Sequence, residues 1–109
     1  MVDSTSLELT SRDDAAPLAV ENTALLAAVA DPLRYSVLRF LDREGEQCVC
    51  DIQAVLPIAG NLLSYHLKTL RDAGLVTSER RGRWVHYRVA DGAAARLSAA
   101  LPFNTGSPS

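Results

Sequence analysis

Cys48 and Cys50 are the only cysteines in the chain, and they stand one residue apart. Thiolates are soft ligands, and such a pair would select As(III), Cd(II), Pb(II), Hg(II) or Zn(II) over magnesium or calcium. Side chains at i and i+2 point the same way on an extended chain but diverge by about 200° on a helix. The pair can therefore chelate one ion only where its segment is extended or where a first helical turn unwinds. A helix N-terminus nearby would favour the thiolate form. The two are too close to staple a fold, and a reducing cytoplasm would keep them as thiols. A second chemistry stays open, namely oxidation of the pair to each other or across subunits, which would make a thiol-redox regulator. A silent pair is the plainer alternative.

A second group of residues could read nucleic acid. At about 100° per residue, Asn61, Ser64, Tyr65 and Lys68 fall on one side of a helix, opposite Leu63, Leu67 and Leu70. Asn61 can pair bidentately with adenine, and Ser64 can bond a base or a phosphate. Tyr65 and Lys68 can contact phosphates, as can Arg80, Arg81 and Arg83 further along. His66 lies at the edge of the leucine stripe and reads as a structural, half-buried imidazole. His86 has no metal partner near it in sequence, and Trp84 and Tyr87 read as hairpin-packing residues. No nucleophile–base pair, phosphate-cradling glycine loop or framed carboxylate pair is present, so the chain does not read as an enzyme.

These residues need elements to place them. Residues 18–30 read as an Ala/Leu-rich helix. Asp31-Pro32 starts a second helix, with Asp as N-cap and Pro in the first turn. Leu33, Val37, Phe40 and Leu41 give it one buried stripe, and Gly45 stops it. A short third helix is expected over about residues 50–56, ended by Pro57. A fourth runs from about 60 to 73, with Gly74 as its stop. Two strands follow, over residues 75–79 and 84–89, with the turn in residues 80–83, where Gly82 can supply a positive φ. Asp91 is expected to cap a last helix, with Ala94, Leu97 and Leu101 on one face. A helix-turn-helix followed by a basic hairpin is the winged-helix arrangement, mainly α with a β-hairpin wing, its fourth helix entering the major groove.

Composition sets the outer bounds. The chain has 109 residues, 48% hydrophobic and 22% charged, which suits one globular domain. A core this small would be helped by a dimer interface. The net charge of −2 hides a polarity. Residues 1–21 hold five acidic groups against one arginine, whereas residues 61–88 hold six basic groups against two acidic ones. Residues 1–17 read as a mobile acidic arm, 18–101 as the DNA-binding and dimerisation domain, and 102–109 as a disordered tail. The longest apolar stretch, from Ala24 to Ala30, falls short of the ~20 residues of a membrane span. With no visible secretory signal, a cytoplasmic location is expected.

The segments DPLRYSVLRFL, EQCVCDI, NLLSYHLKTLRDAGLV and RRGRWVHYRV together resemble the ArsR/SmtB family of metal-responsive winged-helix repressors, over about residues 20–101. Its CVC run resembles the arsenic-type subgroup. The resemblance implies a homodimer joined through its first and last helices. It implies binding to double-stranded operator DNA without ligand, and release when arsenite or a soft metal ion meets Cys48 and Cys50. The chain departs from the family at several positions. Gln53 stands where arsenic-type members carry a third cysteine, and the last helix offers only Asp91 of the zinc-type ligand set. Ala59-Gly60 replaces the usual polar cap of the reading helix. A three-thiolate site cannot form within one subunit, so the third position falls to a small-molecule thiol, water or an oxygen of the acidic arm.

Overall fold

The computed structural model describes residues 20–103 of the chain. The expected mobile arm (residues 1–17) and most of the expected tail lie outside those residues. The elements, in chain order, are α1 (Val20–Val29), α2 (Pro32–Glu44), β1 (Gln47–Cys48), α3 (Val49–Val55), α4 (Gly60–Asp72), β2 (Val76–Arg81), β3 (Trp84–Val89) and α5 (Ala93–Ala100). This is the winged helix-turn-helix. No helix among the described residues is long and apolar enough to cross a membrane.

Local chemistry sets the helix ends. The carboxylate of Asp31 accepts from the backbone N–H of Leu33 at 2.9 Å and of Arg34 at 3.0 Å, with Pro32 in the first turn. Two donors left over at the helix start are thereby satisfied. Those bonds hold the Asp31 carboxyl below its ordinary pKa of 3.8 against the opposing effect of burial, with further help from the nearby His66 and Arg34. At the end of α4, Gly74 has φ +77°, and the N–H of Leu75 reaches back to the Leu70 carbonyl at 2.9 Å. That is a Schellman closure, which needs a left-handed residue.

Val37, Leu41, Ile52, Leu63, Leu67, Leu70, Leu75 and Val76 are fully buried and form one core under α2, α3, α4 and the start of β2. By contrast α1, apolar on nearly every side, buries only Ala28. Its exposed Val20, together with Tyr35, Leu101 and Phe103, leaves much apolar surface on the α1, α2 and α5 side.

The sheet is antiparallel and three-stranded, in the order β1-β3-β2. Three details differ from the sequence expectation. The strand β1, which was not foreseen, pairs Gln47 with Tyr87 and Cys48 with His86. At two residues it is too short to show an alternating pattern. The first hairpin strand extends to Arg81, so the turn narrows to Gly82 and Arg83. Asp91 does not cap the last helix, because Gly92, at φ +80°, occupies the cap and Asp91 instead meets Arg88 at 3.4 Å. The buried residues of α5 are accordingly Ala93 and Ala100, while Leu97 is half-buried and Ala94 and Leu101 are exposed.

Candidate thiol site and nucleic-acid interface

Cys48 ends β1 and is the N-cap of α3, with extended backbone (φ −78°, ψ 162°). Cys50 lies within the first turn of α3. Because Cys48 is outside the helix, the pair escapes the divergence that two helical positions would impose. The Cα atoms are 5.3 Å apart and the two sulfurs are bonded to each other. This corrects the expectation of free thiols: the extended cap brings the sulfurs within bonding reach. Cys48 is buried and Cys50 exposed. A third donor, not foreseen in the sequence, stands beside them. One ligand atom from each of Cys48, Cys50 and Asp51 lies within 4.8 Å of the others. The Asp51 carboxylate also accepts from the Cys48 backbone N–H at 3.3 Å, the reach of an acidic residue three places after a helix cap. That spacing is the signal that could have identified it. Two sulfurs and one carboxylate oxygen fit a soft ion once the sulfurs are reduced.

The four candidate groove residues, Asn61, Ser64, Tyr65 and Lys68, are all exposed along α4, while Leu63, His66, Leu67 and Leu70 face the core. Lys68 is not free for a phosphate as it stands, since its ammonium donates to Asp72 at 2.7 Å. That bond holds the Asp72 carboxyl below its ordinary range. As the sequence implied, α4 begins without a side-chain cap, at Ala59. His66 is buried more deeply than the half-buried position expected, at 7% exposure. Its Nδ1 lies 2.9 Å from an Arg34 amino nitrogen, while the Arg34 Nε donates to the Ala28 carbonyl at 2.7 Å. A guanidinium only donates, so Nδ1 is the acceptor and the ring proton belongs on Nε2. Arg34 thus joins α1, α2 and α4.

The three hairpin arginines gather at the wing tip, Arg80 and Arg81 at the end of β2 and Arg83 in the turn. Their situations differ. Arg81 is paired with both Glu46 and Glu79. Among the described residues, neither Arg80 nor Arg83 takes part in an ion pair. His86 lies 3.6 Å from Glu46, a partner its sequence neighbours do not reveal.

Comparison with known proteins decides what kind of chain this is. The sequence profile of the family described as bacterial regulatory protein, arsR family, matches residues 31–78. A solved structure described as a possible transcriptional regulator for arsenical resistance is 36% identical, with a TM-score of 0.65, over 70% of this chain and 78% of that one. The chain belongs to the ArsR family. Its members are DNA-binding transcriptional regulators, not enzymes. The ArsR-family chain is also similar to an arsenical resistance operon repressor of Bacillus subtilis (strain 168), 41% identical over 59% of this chain and 61% of that protein. The HTH-type transcriptional repressor SmtB of Mycobacterium tuberculosis (strain ATCC 25618 / H37Rv) is 46% identical over 62% of this chain and 49% of that protein. The match thus spans less than two thirds of either of these relatives.

Proposed function

We propose that this ArsR-family chain is a cytoplasmic transcriptional repressor that binds double-stranded operator DNA as a homodimer. Arsenite, or a soft ion such as Cd(II), Pb(II), Hg(II) or Zn(II), releases it by binding the reduced Cys48 and Cys50. The observation that carries the reading is the meeting of two sulfurs and the Asp51 carboxylate at the junction of β1 and α3 in a chain of this family. Among the described residues, Asp51 is the donor that stands beside the two sulfurs. On the DNA side, Asn61 and Ser64 would meet base edges in the groove, with Tyr65, Lys68 and the arginines Arg80, Arg81 and Arg83 near phosphates. The apolar surface of α1 and α5 supports the homodimer. The thiol-redox alternative ranks second, because two of the similar proteins, the Bacillus subtilis repressor and the solved structure, are described by arsenical resistance. The bonded pair must be reduced before it can hold an ion.

The test is fluorescence anisotropy of the reduced protein on a duplex of its own upstream DNA at fixed salt. Arsenite, cadmium and zinc are titrated in turn against wild type, Cys48→Ser and Cys50→Ser. Tight binding lost with one ion, and only when both cysteines are present, supports the reading and names the inducer. Tight binding that no ion disturbs, but that peroxide abolishes, favours the redox alternative. Sedimentation of the free protein at micromolar concentration checks the dimer, and a monomer there counts against it.

A further inference from the structure

The outer face of the sheet carries a charge arrangement that the thiol site and the groove residues do not use. Residues directly opposite each other in an antiparallel pair share a face, as do residues two apart on one strand. The pairings Arg81 with Trp84, Glu79 with His86 and Cys48 with His86 therefore put Glu79, Arg81, His86 and Cys48 on one side of the sheet. Glu46, two residues before Cys48, turns its carboxylate to that side. Both amino nitrogens of Arg81 engage it, Nη1 with Oε2 in an ion pair and Nη2 with Oε1 at 3.2 Å. Nη2 also reaches Glu79 at 3.1 Å, and the His86 Nδ1 lies 3.6 Å from Glu46. The remaining cation of this face, Arg88, is taken up by Asp91.

A carboxylate engages a guanidinium through the same two-pronged geometry as a phosphate does. Arg81 cannot present that fork to both at once. Among the described residues, neither Arg80 nor Arg83 carries such a competitor, so there the conflict is confined to one of the three wing arginines.

We infer that Glu46 is a positioning residue for the wing: its carboxylate holds Arg81 in the place of an operator phosphate, so the free protein binds DNA with one phosphate contact suppressed. The inference rests on the operator-binding reading given above. Glu46 is the residue immediately before β1, so the strand that ends in Cys48 also anchors this hold.

The experiment measures dissociation constants of the reduced full chain on the upstream duplex across a salt series, for wild type, Glu46→Gln, Arg81→Ala and the double variant. Glu46→Gln is expected to bind roughly threefold to fivefold more tightly, the scale of a partly exposed ion pair. The plot of log affinity against log salt should steepen by about 0.9, the signature of one added phosphate contact. Arg81→Ala should cost more in the Glu46→Gln background than in wild type, and Glu46→Asp should fall between Glu46→Gln and wild type. A merely structural Glu46 would leave the salt slope unmoved. Unchanged affinity and slope in Glu46→Gln, with the same cost of Arg81→Ala in both backgrounds, overturn the inference alone. If the wild type shows no salt-dependent DNA binding, the operator reading falls and takes this inference with it.

Discussion

Arg34→Ala is the substitution whose cost the structure defines best. The guanidinium makes two hydrogen bonds of 2.7 and 2.9 Å, to the Ala28 carbonyl and to the His66 imidazole. Hydrogen bonds from a charged donor contribute about 1.5–3 kcal/mol each, and a buried acceptor left alone costs about 1–3 kcal/mol. His66 is almost inaccessible to water, whereas Arg34 is only half-buried, so low-end values suit the pair. The expected loss is about 2–4 kcal/mol. For a domain of this size that lowers Tm by roughly 10–25 °C. Arg34→Lys, which lacks the fork, should recover at most one bond and about half the loss. The assay is urea denaturation at one fixed protein concentration, because dimer formation would couple stability to concentration. Adding His66→Ala closes a double-mutant cycle, in which the two losses should fall short of additive by about 1–2 kcal/mol. A loss below about 0.5 kcal/mol, or simple additivity, would refute the claim that Arg34 holds α4 against α1 and α2.

Three further outcomes follow from other sites. Asp31 has a folded pKa below its ordinary 3.8, so its contribution is present above that value and lost as pH falls through the lowered one. Acid unfolding of Asp31→Asn should accordingly be less steep in that window, and an identical profile counts against the cap. Gly74→Ala should cost about 1–2 kcal/mol through its left-handed backbone. The new Cβ would also press on an Arg96 amino nitrogen 2.9 Å away, and urea midpoints read the sum. Arg83→Ala should flatten the salt dependence of operator binding by about 0.9, and an unchanged slope removes Arg83 from the phosphate contacts.

Much of the fold could be read from side-chain chemistry alone. Asp31-Pro32 and Gly74 mark helix ends through local bonds that any structure containing them would repeat. Leu63, Leu67 and Leu70 of α4 fall on one buried face because of their helical spacing, while Leu62 lies off it and is exposed. What escaped was set by distant partners. Gly92 displaced Asp91 as a cap because a left-handed residue directly before Ala93 leaves no place for it. Glu46 lies 35 residues from Arg81 in sequence, and Arg34 lies 32 from His66. Pattern reading cannot connect such pairs, since it follows neighbours along one element. For the thiol site the sequence showed the cysteines and the need for extended backbone. It did not show Asp51 as the donor beside them.

The packing also indicates where strain from a proposed ion would be absorbed. Within α3, Ile52 alone is fully buried, with Val49 partly so, while Cys50, Asp51, Gln53, Ala54 and Val55 are exposed. By contrast α4 buries Leu63, His66, Leu67 and Leu70. At about 1.5–3 kcal/mol for each fully buried aliphatic side chain, α4 is held several times more firmly than α3. An ion that drew Cys48, Cys50 and Asp51 around itself would therefore deform the first turn of α3 before it deformed α4. On the operator-binding proposal, α4 would move as a body with its own face intact, carried by Ile52 and the buried cluster that Ile52 shares with Leu63, Leu67 and Leu70. A coupling of about 1–3 kcal/mol is typical of allostery, and it lies within what such a lightly packed helix can transmit. Ile52→Ala leaves every donor in place but loosens that link. It should keep arsenite binding to the reduced protein while shrinking the ion's effect on operator affinity. A variant that binds arsenite and releases DNA as fully as wild type would show that the signal does not pass through Ile52.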